Sequence, residues 1–271
     1  WFPIPAIRKA KQRGYEVITC DNRPENPGHA LADESLNIST IDRDAVLAAA
    51  QRLQVNGVLA YGTDIAAETA AYVSEAMGLA THPSHAVRTL TAKHLFREYL
   101  ESEGFQSPSY RAAEDLASLR SGIEELDLPV VLKPVDSSGS KGVAKIEDST
   151  ELADAYHSAV GHSRRDTVIV EEYIQKTGYQ LTGDGFLIDG ELVFRAFANQ
   201  HFAPGGDPCQ PTGETLPAAF DSRTLDRIHD EVQRLMTSLG MRTGALNFDI
   251  LVDDRDRIHL LEIGPRCGGN L

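Results

Sequence analysis

Asp249 and Glu262 each interrupt an apolar run, Asn247-Phe248-Asp249-Ile250-Leu251-Val252 and Ile258-His259-Leu260-Leu261-Glu262-Ile263-Gly264. Asp253-Asp254-Arg255-Asp256 between them supplies a turn, so the two runs predict a β-hairpin with its carboxylates side by side. Mg²⁺ takes hard oxygen ligands, commonly one or two carboxylates together with substrate phosphates, so such a pair could hold a metal-bound nucleoside triphosphate. From this stretch alone, two acids at strand ends facing water read the same way. Upstream, Leu128-Pro129-Val130-Val131-Leu132 runs into Lys133. An ammonium on a buried strand needs an opposite charge, because isolating it from water is costly, and a phosphate would supply one. Asp136-Ser137-Ser138-Gly139-Ser140-Lys141-Gly142 follows, a small-residue loop whose backbone amides can close over phosphate oxygens. It lacks the order of a P-loop and leads into a strand where a dinucleotide fingerprint would lead into a helix. A flexible hairpin connection is the other reading of that loop.

The elements that must position these groups can be read from periodicity. Residues 167–174, Thr-Val-Ile-Val-Glu-Glu-Tyr-Ile, form a strand that ends in two glutamates and an aromatic, followed by Gly178-Tyr179-Gln180 and a second strand over 184–190. Backbone groups at such a strand end can read an adenine edge, although a plain edge strand fits equally. The first ninety residues alternate: helix 6–13, strand 16–20, helix 42–53, strand 57–61 and helix 65–77. This predicts a parallel sheet flanked by helices, with ligands at the carboxyl ends of its strands, where Asp21 and Gly62-Thr63-Asp64 lie. Thr63 and Asp64 suit a helix cap as well. No strand precedes the first helix, so a first strand and its glycine-rich turn are expected to be missing. Thr91 caps a helix through Lys93 to Glu103, closed by Gly104.

Composition narrows the classes. With 271 residues and 41% hydrophobic content, the chain can bury a core in two or three subdomains. Its 26 basic and 40 acidic residues leave a net charge of −14, which argues against nucleic acid or an anionic membrane as partner. No apolar run is long enough to span a bilayer. Three cysteines, widely spaced, fit free thiols and a cytoplasmic location.

Together these pieces resemble the ATP-grasp superfamily over roughly residues 15 to 270. The resemblance implies an α/β fold: an N-terminal Rossmann-like parallel-sheet domain over 1–90, then a two-lobed α+β ATP-grasp domain over 91–271. The small lid lobe would cover about 107–172 and the C-terminal lobe about 173–271. It implies ATP and Mg²⁺, for which Mn²⁺ could substitute. Lys93 and Lys133 match the phosphate-binding lysines, and Ser137, Ser138, Gly139, Ser140, Lys141 and Gly142 match the phosphate lid. Glu171, Glu172, Tyr173 and Ile174 match the adenine hinge, through the Glu172 carbonyl and the Ile174 amide. Gln180 stands at the ribose contact, where the family usually has Glu. Asp249 and Glu262 match the metal acids, and Arg266, with Lys133, the groups that steady the reacting phosphate. Gly264 departs from the Asn common two residues after the second acid, leaving metal binding to Glu262, with Asn270 as a possible aid. His201, Arg195 and the loop 212–215 could face the acceptor pocket.

The implied function is an ATP-dependent ligase joining a small carboxylate to an amine or thiol through an acyl phosphate; a homodimer is compatible with it. Two alternatives stand beside this: a nucleotide-binding regulatory protein of the same fold without turnover, which Gly264 would support, and a dehydrogenase on the first sheet, which would require GxGxxG in the missing turn.

Overall fold

The computed structural model describes residues 3–203, 205 and 209–269. The N-terminal unit contains α1 (Ile4–Gln12), β1 (Ile18–Cys20), β2 (Glu34–Leu36), α2 (Arg43–Arg52) and α3 (Ala67–Ala76). Asp42 caps α2 by accepting from the Ala45 amide. β1 and β2 pair in parallel, Ile18 opposite Glu34 through Cys20 opposite Leu36. Residues 57–60, expected as a strand, join no ladder among the described residues, and only Tyr61 makes an isolated parallel bridge, to Cys267. The reason is lateral: a strand is assigned by its neighbour, and the space beside Val58 and Ala60 is an apolar cavity bounded on its other walls by Ile7, Ile18 and Val46.

Two helices follow, α4 (Ser84–Thr91) and α5 (Lys93–Ser102), with Gly104 at φ 69° closing the second. Thr91, expected to cap α5, is instead the last residue of α4, and its hydroxyl donates to the Val87 carbonyl and to Glu68.

Next comes a four-stranded antiparallel sheet in the order β3-β6-β4-β5, from β3 (Tyr110–Ala113), β4 (Val130–Pro134), β5 (Ala144–Ile146) and β6 (Val168–Glu172). Helices α6 (Leu116–Ile123) and α7 (Leu152–Val160) back it, and Leu119, Leu132, Leu152 and Val170 fill the space between.

The C-terminal part is a five-stranded antiparallel sheet in the order β11-β10-β7-β8-β9. Its strands are β7 (Gln180–Ile188), β8 (Glu191–Phe202), β9 (Pro211–Thr215), β10 (Gly244–Val252) and β11 (Ile258–Gly264). Helix α8 (Ser222–Ser238) is capped by Asp221 and buries Ile228, Val232, Leu235 and Met236, a helical stripe laid on one sheet face. Phe96 and Leu100 of α5 join the same core. The opposite face is left for polar groups. Among the described residues, no helix is long and apolar enough to cross a membrane.

Candidate functional site

The hairpin forms with its carboxylates side by side: a register shift between Asp249 and Ile250 sets Asp249 of β10 opposite Glu262 of β11, and directly opposed residues share a face. On the other side of β10, Asp249 is paired with Thr182 of β7. At the first turn of α5, the Lys93 ammonium lies 3.3 Å from Glu262 Oε2 and donates to the Ser137 carbonyl at 2.8 Å. One lysine thus links the hairpin to the serine-glycine loop. Burial alone would raise the Glu262 pKa, but the ammonium groups of Lys93 and Lys133 outweigh it and hold the carboxyl low. At Asp249 burial together with the Glu262 charge outweighs the pull of Arg266 and Gln180 and pushes the carboxyl up to about 8. Its Oδ1 is buried with no hydrogen-bond partner. An orphaned carboxylate oxygen beside a second acid is the setting a hard cation completes. Among the described residues no group of three or more His, Cys, Asp or Glu converges on a metal position. Two carboxylates suffice for Mg²⁺ when phosphates and water supply the rest. Gly264 offers no side-chain donor, and Asn270 lies outside the described residues.

Lys133 lies on β4 opposite Ile169 of β6, and its Nζ is 2.6 Å from Glu171 Oε2. The other side of Glu171 is taken by Arg97, a residue the sequence reading passed over. Arg97 is fully buried. Its Nε donates to Glu171 Oε1 at 2.9 Å, and its terminal nitrogens reach the carbonyls of Leu260 at 3.3 Å and Leu261 at 2.8 Å. Arg97 therefore fastens the four-stranded sheet to the strand that carries Glu262. Burial would raise the Glu171 pKa, but Arg97 and Lys133 hold it below the usual range. The Glu171 carboxylate is thus engaged inside the fold. At the neighbouring hinge positions, the Glu172 and Tyr173 amides donate to the Ser109 and Pro129 carbonyls, while the Ile174 amide has no backbone partner among the described residues.

The loop after β4 turns through three left-handed residues, Gly139 at φ 68°, Ser140 at 56° and Gly142 at 71°. Only glycine fits the last, since a Cβ there would lie 3.1 Å from Ala159 Cα and 3.1 Å from Pro134 Cγ. Ser137 Oγ donates across the loop to the Lys141 carbonyl at 3.0 Å, and Lys141 itself is exposed, as is Gly139. Ser138 and Ser140 are half-buried. Gln180 donates to Gln200 at 2.7 Å.

Arg266 lies on neither hairpin acid. Its Nε and Nη2 donate to the two Asp64 oxygens, each at 2.7 Å. Asp64 does not cap α3, whose N-terminus has no side-chain cap bond. Arg195 points to α8, donating to the Leu225 carbonyl and to Asp226, and His201 shares a 2.9 Å hydrogen bond with the Thr215 hydroxyl on β9. A cleft lined by Asp64, Glu68, Lys93, Ser137, Glu262 and Gly264 opens where the N-terminal unit, the loop and the hairpin meet.

The geometry has counterparts among known proteins. Residues 126–271, more than half of the chain, match the family model described as an ATP-grasp domain. The chain belongs to the ATP-grasp family. The formate-dependent phosphoribosylglycinamide formyltransferase of Burkholderia thailandensis is 28% identical over 270 residues, covering 93% of this chain and 63% of its own length. The enzyme of that description from Rhodococcus jostii is likewise 28% identical, over 260 residues, with 93% and 63% covered. The chain thus spans about 63% of the length of these curated relatives. Among solved structures, the L-amino acid ligase of Bacillus licheniformis superimposes with a TM-score of 0.80 at 20% identity, over 99% of this chain and 65% of that one. Biotin carboxylase from Campylobacter jejuni gives 0.74 at 19% identity, over 97% and 62%. These likenesses establish the ATP-grasp architecture of a mixed α/β fold, as the resemblance implied.

Proposed function

We propose that the chain carries the ATP-binding part of a ligase that activates a small carboxylate as an acyl phosphate and passes the acyl group to an amine. The observation that carries this reading is the cross-strand pair Asp249 and Glu262 with one oxygen orphaned, placed beside Lys93 and the serine-glycine loop. Mg²⁺, when bound by these acids, would supply the charge neutralisation that a triphosphate requires. The residues do the rest: Lys93 and Lys133 face the phosphates, the loop 137–142 excludes water, the Ile174 amide meets the adenine edge and Gln180 the ribose. Arg266 steadies the phosphoryl group on the carboxylate. Such a site needs no protein nucleophile, because phosphoryl transfer is governed mainly by positioning and electrostatics.

The formate-dependent relatives named above support the carboxylate-activating side of this reading. The test is ADP release by the full-length protein with Mg-ATP across amino acids, formate and bicarbonate, each with and without an amine. Carboxylate-dependent ADP release supports the ligase. Tight Mg-ATP binding with no release for any carboxylate would favour the regulatory alternative.

A further inference from the structure

Asp64 belongs to the N-terminal unit, yet both of its oxygens lie on Arg266, in a pair whose side chains are only 16% and 11% exposed. Arg266 Nη1 donates to the Cys267 carbonyl at 3.1 Å. A guanidinium has five N–H donors. Nε and Nη2 each give one to Asp64 and Nη1 gives one to Cys267, so three are engaged by described residues and one remains on each terminal nitrogen. The side edge is thus filled by Asp64, and the remaining Nη2 hydrogen lies on the end-on edge, the edge that suits a second pair of anionic oxygens.

Two further features show that the pair is built into the fold. Tyr61 bridges in parallel to Cys267, so the backbones carrying Asp64 and Arg266 are themselves joined. A Cβ on Gly264 would stand 3.0 Å from Arg266 Cζ and 3.1 Å from Asp64 Oδ1. The glycine leaves the space in which the fork lies.

We propose that Asp64 is a positioning residue: it clamps the side edge of Arg266 so that the end-on edge is held for the acyl phosphate, and Gly264 is the room for that clamp. The inference rests on the ligase reading above. It also changes the meaning of Gly264, from a missing metal ligand to a requirement of the arginine. The N-terminal unit then contributes to the reaction through one carboxylate without touching the nucleotide.

The test uses acetyl phosphate, a small acyl phosphate, with the full chain and saturating Mg-ADP, its affinity read by calorimetry; Mg-ATP affinity and melting temperature are read in parallel. Asp64→Asn is expected to weaken acetyl phosphate tenfold or more while Mg-ATP affinity stays within about twofold, with Asp64→Glu recovering part of the loss. Gly264→Asn is expected to weaken acetyl phosphate as well, without tightening the Mg²⁺ dependence of ATP binding; it carries the test if Asp64→Asn fails to fold. Unchanged or tighter acetyl phosphate binding in Asp64→Asn would overturn the clamp. So would a Gly264→Asn variant that gains Mg²⁺-dependent ATP affinity and keeps acetyl phosphate. Wild-type Mg-ATP binding reports on the ligase reading separately, so a wild type that binds Mg-ATP while both variants keep acetyl phosphate sinks the clamp alone.

Discussion

Arg97, Glu171 and Lys133 form one charged cluster of this molecule, and Asp249 with Glu262 forms another, and the two are completed to different degrees. In the first, every partner is protein: Glu171 receives Arg97 and Lys133, and Arg97 also takes two carbonyls of β11. In the second, Glu262 has Lys93 but Asp249 keeps a buried oxygen without a partner. Both clusters bury charge, which is costly when uncompensated. A cluster that satisfies itself acts as a joint, and one that does not is fitted to something it lacks. On the proposed reading Lys133 serves both clusters, paired with Glu171 and turned to the phosphates, while Arg97 is a joint alone.

The largest effect should come from breaking the joint. Arg97→Met removes the main partner of a buried glutamate and leaves the Leu260 and Leu261 carbonyls short of donors, so it should cost about 3–5 kcal/mol. Urea unfolding measures this, and a loss under about 1 kcal/mol would erase the distinction between the clusters.

Asp253 gives an intermediate case at the hairpin turn. Its oxygens accept from the Arg255 and Arg257 amides, each at 2.9 Å, from Arg257 Nε at 2.7 Å, and lie 2.9 Å from His259 Nε2. Burial alone would raise its pKa, but these partners, His259 foremost, hold it well below the usual carboxylate range. A folded-state value below the unfolded one contributes stability above the unfolded carboxyl pKa, near about 4, which is lost as pH falls further. Asp253→Asn should therefore cost about 2 kcal/mol at neutral pH and flatten the acid side of the stability curve below pH ~4. A variant with the wild-type acid profile would show that the turn does not depend on the charge.

The smallest effect, opposite in sign, belongs to the incomplete cluster. Asp249→Asn removes a desolvated carboxyl beside Glu262, so without nucleotide the variant should match the wild type or gain about 1 kcal/mol. A loss as large as that of Arg97→Met would mean that Asp249 is structural after all.

Much of this was legible in the chain. An acid that interrupts an apolar run is visible one residue at a time, and the turn between the runs pairs them as a hairpin, but a regular ladder from that turn would set Asp249 opposite Leu261, and the bulge that brings it opposite Glu262 left no local signal. The loop from Ser137 to Gly142 was legible from its run of small residues, and at Gly142 the backbone and its close neighbours require glycine. Arg97 was not. In Lys-His-Leu-Phe-Arg-Glu-Tyr-Leu an arginine reads as the wet side of a helix, and its burial depends on a glutamate 74 positions away. The Asp64–Arg266 fork joins residues 202 apart and left no trace in either neighbourhood. Residues 57–60 failed differently: their apolar pattern suits a strand, but a ladder is a property of two segments, and the space beside them is a cavity.

The central claim is that Asp249 and Glu262 hold a metal for a nucleotide, and the Mg²⁺ dependence of ATP binding tests it most directly. Calorimetry of the wild type, Glu262→Gln and Asp249→Asn with ATP, with Mg²⁺ and with EDTA, reads the pair without needing the carboxylate substrate. The account predicts that Mg²⁺ tightens ATP binding to the wild type by tenfold or more, and that both variants lose most of this gain while remaining folded. Equal affinity with and without Mg²⁺, or variants that respond to Mg²⁺ as the wild type does, would contradict it.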